Sequence, residues 1–223
     1  MHDRLMVALD VASAEAGLAM RDQLVDSVGW FKVGLRLFVA SGPAFVRELK
    51  QDHKVFLDLK FHDIPNTVAE AVSSAGALGV DMLNVHASGG VEMMEAASRA
   101  AETFPAMRLI AVTVLTSDRM DVPAARKLAV DRALLARQAG LHGVVCSVHE
   151  VGAIKKVCGK EFLTVTPGIR LPGGSQDDQV RVATPDMAVS EGADHLVVGR
   201  PILRAVDPRA AALEVLRLMQ QGA

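Results

Sequence analysis

The sequence is poor in cysteine, in unbalanced charge and in long apolar runs. Cys146 and Cys158 are the only cysteines, and no further thiols join them in a zinc or iron–sulfur pattern. That excludes a thiolate metal framework and points to a reduced compartment. Lys and Arg number 24 against 26 Asp and Glu, with no basic run, so neither a nucleic-acid nor a membrane-surface partner is expected. Met1-His2-Asp3-Arg4 leads directly into Leu5-Met6-Val7-Ala8-Leu9, without the apolar segment and cleavage site of a signal peptide. The apolar stretch from Trp30 to Val39 is broken by Lys32 and Arg36 and is too short to span a bilayer. A soluble, cytoplasmic protein is the expectation.

What the chain does have is apolar content: half of its 223 residues, enough for one substantial core and too few for two comfortable domains. One domain over residues 1–223 is expected. Buried-strand candidates recur at Leu5–Asp10, Trp30–Gly34, Val55–Lys60, Asp81–His86, Arg108–Thr113, Gly143–Ser147, Phe162–Thr166 and His195–Gly199. Between them lie helical stretches such as Ala14–Val25, Thr67–Ala77, Val91–Glu102, Ala124–Ala139, His149–Val157 and Asp178–Glu191. Eight units of about 28 residues predict a (β/α)8 TIM barrel, although an open doubly wound sheet gives similar local signals.

One phrase repeats. Gly76-Ala77-Leu78-Gly79-Val80-Asp81, Ala139-Gly140-Leu141-His142-Gly143 and Glu191-Gly192-Ala193-Asp194-His195 each end an alanine-rich helix at glycine and open a strand. Near the end, Asp207-Pro208 reads as a helix cap and first helical residue, which leaves Pro201–Ala205 as a short extra helix after strand eight. In (β/α)8 enzymes that position commonly makes a phosphate site.

Charges inside apolar strands mark the candidate site. In Val55-Phe56-Leu57-Asp58-Leu59-Lys60, residues two apart share a face, so Asp58 and Lys60 project together while Leu57 and Leu59 pack the other side. Lys32 in Phe31-Lys32-Val33-Gly34 repeats the anomaly on the neighbouring strand. Unpaired buried charge is costly, so these groups form either an ionic network filling the barrel end or a catalytic one. Asp63 lies beyond the strand and either caps the next helix or completes the constellation. Thr67 is either a ligand contact or a first-turn residue, and His62 reads as a loop histidine without a metal-ligand pattern.

The phosphate end is Leu196-Val197-Val198-Gly199-Arg200-Pro201, where Gly199 permits close backbone approach and Arg200 offers a bidentate donor. Gln179 follows the glycine-containing stretch Arg170-Leu171-Pro172-Gly173-Gly174-Ser175-Gln176 and can close over the same anion, whereas Arg181 either joins it or faces solvent on the seventh helix. Asp10 either accepts from sugar hydroxyls or caps the first helix. Thr116, Ser117 and Ser147 supply neutral donors and acceptors suited to a heterocyclic amide edge, or serve loops and caps.

With Leu9-Asp10, Phe31-Lys32-Val33-Gly34, Asp58-Leu59-Lys60-Phe61-His62-Asp63-Ile64-Pro65-Asn66-Thr67, Thr166-Pro167-Gly168-Ile169-Arg170, Asp178-Gln179-Val180-Arg181 and Val198-Gly199-Arg200 in hand, the sequence resembles the orotidine 5'-phosphate decarboxylases over nearly its full length. The Asp-x-Lys-x-x-Asp core belongs to a wider decarboxylase and aldolase-like group; its extension through Asn66-Thr67 is more selective. The resemblance implies a homodimer converting orotidine 5'-monophosphate to UMP without metal or cofactor. It implies that Lys32, Asp58 and Lys60 act with an Asp63 supplied by the other subunit, Lys60 delivering a proton to pyrimidine C6 and Asp58 lying near the departing carboxylate. Lys32 and Asp10 would engage ribose, Gln179 and Arg200 the phosphate, Pro167 the pyrimidine face, and Thr116 and Ser147 its edge. A related phosphate-sugar decarboxylase or aldolase, with a divalent ion at Asp58, and a non-catalytic nucleotide-binding barrel are the alternatives.

Overall fold

The computed structural model describes residues 1–115, 117–118, 120–172 and 182–223. Eight parallel strands close into a barrel in sequence order, so the open-sheet alternative falls. They are β1 (Leu5–Ala8), β2 (Trp30–Gly34), β3 (Lys54–Phe61), β4 (Met82–His86), β5 (Arg108–Val112), β6 (Gly143–Val145), β7 (Leu163–Thr166) and β8 (His195–Val198). The helices among the described residues are α1 (Ala14–Leu24), α2 (Leu35–Lys50), α3 (Pro65–Gly76), α4 (Val91–Ala101), α5 (Val122–Gln138), α6 (Val148–Cys158), α7 (Pro185–Ser190), α8 (Arg200–Leu203) and α9 (Pro208–Gln221). None is long and apolar enough to cross a membrane.

Strand alternation divides the core in two. Leu5, Val7, Phe31, Val33, Val55, Leu57, Leu83, Val85, Leu109 and Ala111 face outward beneath the helices. Met6, Ala8, Trp30, Phe56, Met82, Ile110, Val165 and Val197 face inward and fill the barrel axis. At the N-terminal end Trp30 packs edge-on against His195, with ring centroids 5.4 Å apart, and its Nε1 donates to the Asp3 carbonyl.

The repeated phrase has a shared task at that end. Gly79, Gly140 and Gly192 all take positive φ (79°, 81° and 91°), turning each helix back toward its strand. The side chain of the residue just before β4, β6 and β8 then accepts the N–H of the second residue of the preceding strand. Asp81 takes Val55 N–H at 2.7 Å, His142 takes Leu109 N–H through Nδ1 at 3.1 Å, and Asp194 takes Thr164 N–H at 2.7 Å. Burial, opposed by a backbone hydrogen bond at Leu109 and helped by the Arg108 charge, lowers the His142 pKa. The two aspartates carry matching lysines: Lys50 from α2 lies 3.0 Å from Asp81, and Lys155 from α6 lies 2.6 Å from Asp194.

Several boundaries shift. β1 and β6 stop at Ala8 and Val145, short of Asp10 and Ser147. The expected helix Asp178–Glu191 is helical among the described residues only from Pro185, because a residue before proline is disfavoured in the α region and Thr184 stays extended as the cap. Residues 178–181 lie outside the described residues. Asp10 does not cap α1; Ser13 does, its side chain accepting from Ala16 N–H. Asp207 caps α9 with Pro208 in its first turn, and α8 follows β8 as a four-residue helix.

Asp194 also accepts from Thr164 Oγ1 at 2.9 Å, so its carboxylate holds two strand groups and a largely buried ammonium. Asp194→Ala is expected to lower unfolding free energy by about 3 kcal/mol in urea titrations, because it leaves Lys155 and the Thr164 N–H without their anion. A loss below about 1 kcal/mol would place this contact with ordinary surface pairs.

Candidate active site

The inward face that is apolar at the barrel axis becomes polar one layer higher. Two residues beyond Trp30, Phe56 and Met82 stand Lys32, Asp58 and Asn84, and two beyond Ala8 stands Asp10. Period-two alternation therefore sends all four to the C-terminal mouth. Asp58 is 8% exposed and shares its carboxylate widely. Oδ2 lies 3.1 Å from Lys32 Nζ, while Oδ1 accepts from Lys60 Nζ at 2.6 Å and from Asn84 Nδ2 at 2.7 Å. Lys32 Nζ also lies 3.6 Å from Asp10 Oδ1. Gly34 makes room: a Cβ there would stand 3.1 Å from Lys32 Nζ and 3.4 Å from Asp10 Oδ1.

Lys60 departs from regular strand geometry. Its φ is +53°, it is the only non-glycine with positive φ among the described residues, and the β3–β4 register shifts between Leu57 and Phe61. The left-handed region costs an L-residue about 1–2 kcal/mol. Asn84 Oδ1 accepts the Lys60 N–H at 2.8 Å inside that irregularity. Leu57 and Leu59 nevertheless pack outward as expected.

Burial pushes the Asp58 carboxyl pKa up, but the charges of Lys32 and Lys60, with hydrogen bonds from Lys60 and Asn84, outweigh it and hold it at about 2. For Lys32, burial disfavours the ammonium, and the Asp58 and Asp10 carboxylates more than offset this, raising its pKa. Asp58 and Lys32 are thus held in their ionised forms, a buried carboxylate beside a buried ammonium.

Above it opens a cavity of about 360 Å³. Val112, Val114, Leu115, Val145 and Pro167 give it an apolar wall, Asp58 and Lys60 line it, and Gly199, Arg200 and Arg170 line its cationic side. Two arginines beside a glycine suit a phosphate, and an apolar wall suits a ring. Asp63 is exposed and does not line this cavity; its Oδ1 accepts the adjacent Ile64 N–H at 2.6 Å, while Ile64 itself holds the N-cap position of α3. Thr67 is an exposed first-turn residue of α3. Ser147 sits at the N-cap of α6, 1% exposed, its N–H held by Glu150, and the cavity reaches its neighbour Cys146 rather than Ser147. His62 stacks on His86 with centroids 5.5 Å apart. Thr116, Gln179, Arg181 and the loop Gly173–Gln176 lie outside the described residues. Among the described residues no three His, Cys, Asp or Glu side chains gather as a metal site.

Asn84, Gly34 and Cys146 are the site residues that sequence reasoning passed over. Asn84 carried the signal that marked Lys32, a polar residue inside an apolar strand, Met82-Leu83-Asn84-Val85.

A parallel (β/α)8 barrel with a lysine–aspartate–lysine cluster under a cationic rim defines an enzyme class acting on small phosphorylated ligands. The model of the Orotidine 5'-phosphate decarboxylase / HUMPS family matches residues 3–215. An orotidine 5'-phosphate decarboxylase of Legionella pneumophila (strain Paris) is 51% identical, the match covering 97% of this chain and 99% of the relative. One of Moorella thermoacetica is 52% identical over 95% and 91% of the two chains. The crystal structure of orotidine 5'-phosphate decarboxylase from Lactobacillus acidophilus superposes with a TM-score of 0.85 at 36% identity, covering 97% of this chain and 99% of that one. The chain belongs to the orotidine 5'-phosphate decarboxylase / HUMPS family.

The Asp58 shift has a definite sign. A carboxyl whose folded pKa lies near 2 adds stability that is fully present above its unfolded value, about 4, and is lost as pH falls toward 2. Urea unfolding of the parent and of Asp58→Asn is expected to show the parent's relative stability falling by about 2 kcal/mol across that window and flat above it. A constant difference between the two proteins from about pH 5 down to about pH 2.5 would remove Asp58 ionisation from the balance.

Proposed function

We propose that the protein catalyses decarboxylation of orotidine 5'-monophosphate to UMP and carbon dioxide, using its own Lys/Asp cluster without a metal or cofactor. The observation that carries this is the Asp58–Lys60 contact of 2.6 Å at the floor of a cavity whose side is lined by Arg170 and Arg200, in a chain belonging to this family throughout its barrel. Arg200, Gly199, Arg170 and Gln179 hold the phosphate. Asp10 and Lys32 engage the ribose, Pro167 lies against the pyrimidine, and Thr116 and Ser147 read its edge.

The chemistry follows from charge. The bond between C6 and the carboxylate carbon breaks heterolytically, carbon dioxide leaves, and the electron pair stays at C6. The Lys60 ammonium faces that growing charge and passes a proton to C6; solvent then reprotonates the amine. An oriented cation accelerates the step because its attraction is stronger in the transition state than with substrate. Asp58 directs Lys60, and its own charge beside the substrate carboxylate favours departure. Binding energy from the distant phosphate positions the ring.

The direct test is turnover of orotidine 5'-monophosphate by purified protein with chelator present, followed by loss of orotate absorbance and identification of UMP. Activity abolished by chelation would favour a metal-dependent sugar-phosphate decarboxylase or aldolase instead. Binding without product would favour a non-catalytic nucleotide barrel.

The proposal includes a cytoplasmic, single-domain chain acting as a homodimer, in which Asp63 of one subunit completes the site of the other, and Thr67 is a substrate contact. Its support is that Asp63 is exposed on the segment between β3 and α3, next to Ile64, which is 66% exposed. Inactive Lys60→Ala and inactive Asp63→Ala subunits, each shown to fold and dimerise, are expected to regain activity when mixed, approaching one working site per mixed dimer. A fully active Asp63→Ala protein, or verified mixed dimers with no recovery, would contradict the shared site.

A further inference from the structure

Asn84 touches both members of the reactive pair, yet none of the roles above uses it. It stands on β4 with 0% exposure, so no solvent competes for its amide. Its Nδ2 donates to Asp58 Oδ1 at 2.7 Å, the same oxygen that accepts from Lys60 Nζ, and its Oδ1 accepts the Lys60 backbone N–H at 2.8 Å. We propose that Asn84 is a positioning residue for the decarboxylation: one side-chain amide that fixes both the direction of the Asp58 carboxylate and the left-handed backbone from which the Lys60 ammonium reaches the substrate.

The geometry requires these two tasks to be done by one neutral group. Asp58 meets Lys32 through Oδ2, so without the amide on Oδ1 its orientation would be set by two long, flexible lysines alone. Lys60, at φ +53°, falls inside the break in β3–β4 pairing, where its N–H finds the amide oxygen in place of a strand carbonyl. An apolar residue at position 84 would satisfy neither atom. An aspartate would keep the acceptor but set a second carboxylate against Asp58, and a lysine would add a third cation to the cluster. Asparagine donates and accepts without changing the net charge that the reaction depends on.

The inference rests on the decarboxylase reading, and the experiment separates the two. In the full-length protein, Asn84→Ala is expected to lower kcat about a hundredfold, as misplacement of reacting groups does. Its Kd for UMP should stay within about threefold, because the phosphate contacts are untouched. Asn84→Ser, whose hydroxyl is too short to reach Asp58 Oδ1, is expected to lose kcat to a similar extent. An alanine variant within about threefold of the parent in kcat, or one losing UMP affinity in parallel with kcat, overturns the proposal. If the alanine variant does not fold, the same kcat-against-Kd comparison is made on the serine variant. Amide hydrogen exchange on the unaltered protein gives a reading independent of both: Lys60 N–H should exchange as slowly as the β4 core amides, and exchange at the rate of exposed loops overturns the proposal. Failure of the unaltered protein to turn over orotidine 5'-monophosphate would instead remove the decarboxylase reading.

Discussion

The site depends on a single carboxylate. Asp58 lies where the barrel axis changes from apolar to polar, and its two oxygens receive Lys32, Lys60 and Asn84. Removing a charge of this kind from water is unfavourable unless every lone pair is engaged, so the surrounding residues are constrained by it. Lys32 can approach because Gly34 has no side chain to block it. Lys60 can approach because β3 leaves regular pairing just before its end. The low pKa of Asp58 follows from these two charges and the hydrogen bonds from Lys60 and Asn84, which together outweigh burial.

Much of this was legible in the chain because it follows from period-two alternation. Charged residues inside apolar strands located Lys32, Asp58 and Lys60, and the same alternation placed Leu57 and Leu59 behind them. Asp207 as a cap was legible because its chemistry is local. What was not legible depends on partners distant in sequence. Asn84 becomes meaningful only once β4 lies beside β3, and the left-handed turn at Lys60 answers to that neighbour rather than to any glycine or proline signal. Ser13 displaced Asp10 as the cap of α1 because the two differ by three residues in a segment where both types are competent, and only backbone direction decides between them. Ser147 was legible as a polar residue but not as buried: β6 is only three residues long and ends before it, which puts it at the N-cap position of α6 with 1% exposure.

The two ends of the barrel use carboxylates differently. At the N-terminal end Asp81 and Asp194 each tie the N–H of a strand's second residue to a lysine on a covering helix, and His142 fills the corresponding place between β5 and β6. Those groups satisfy backbone atoms and do not line the cavity. At the C-terminal end Asp58 satisfies side chains, Lys60 still lines an open cavity, and a fixed array of charge is held next to an apolar wall. Stability and reactivity are thereby separated along the barrel axis, as the fold permits.

The left-handed backbone at Lys60 has a consequence for anyone reshaping this barrel. Glycine occupies that conformation freely and asparagine nearly so, whereas lysine is strained there. Glycine at position 60 would relieve about 1–2 kcal/mol of backbone strain, but it would also remove the ammonium that compensates the buried Asp58 carboxylate. A relaxed turn and a compensated carboxylate are thus competing demands on one side chain, and each round of a library at this position has to be scored on product formed.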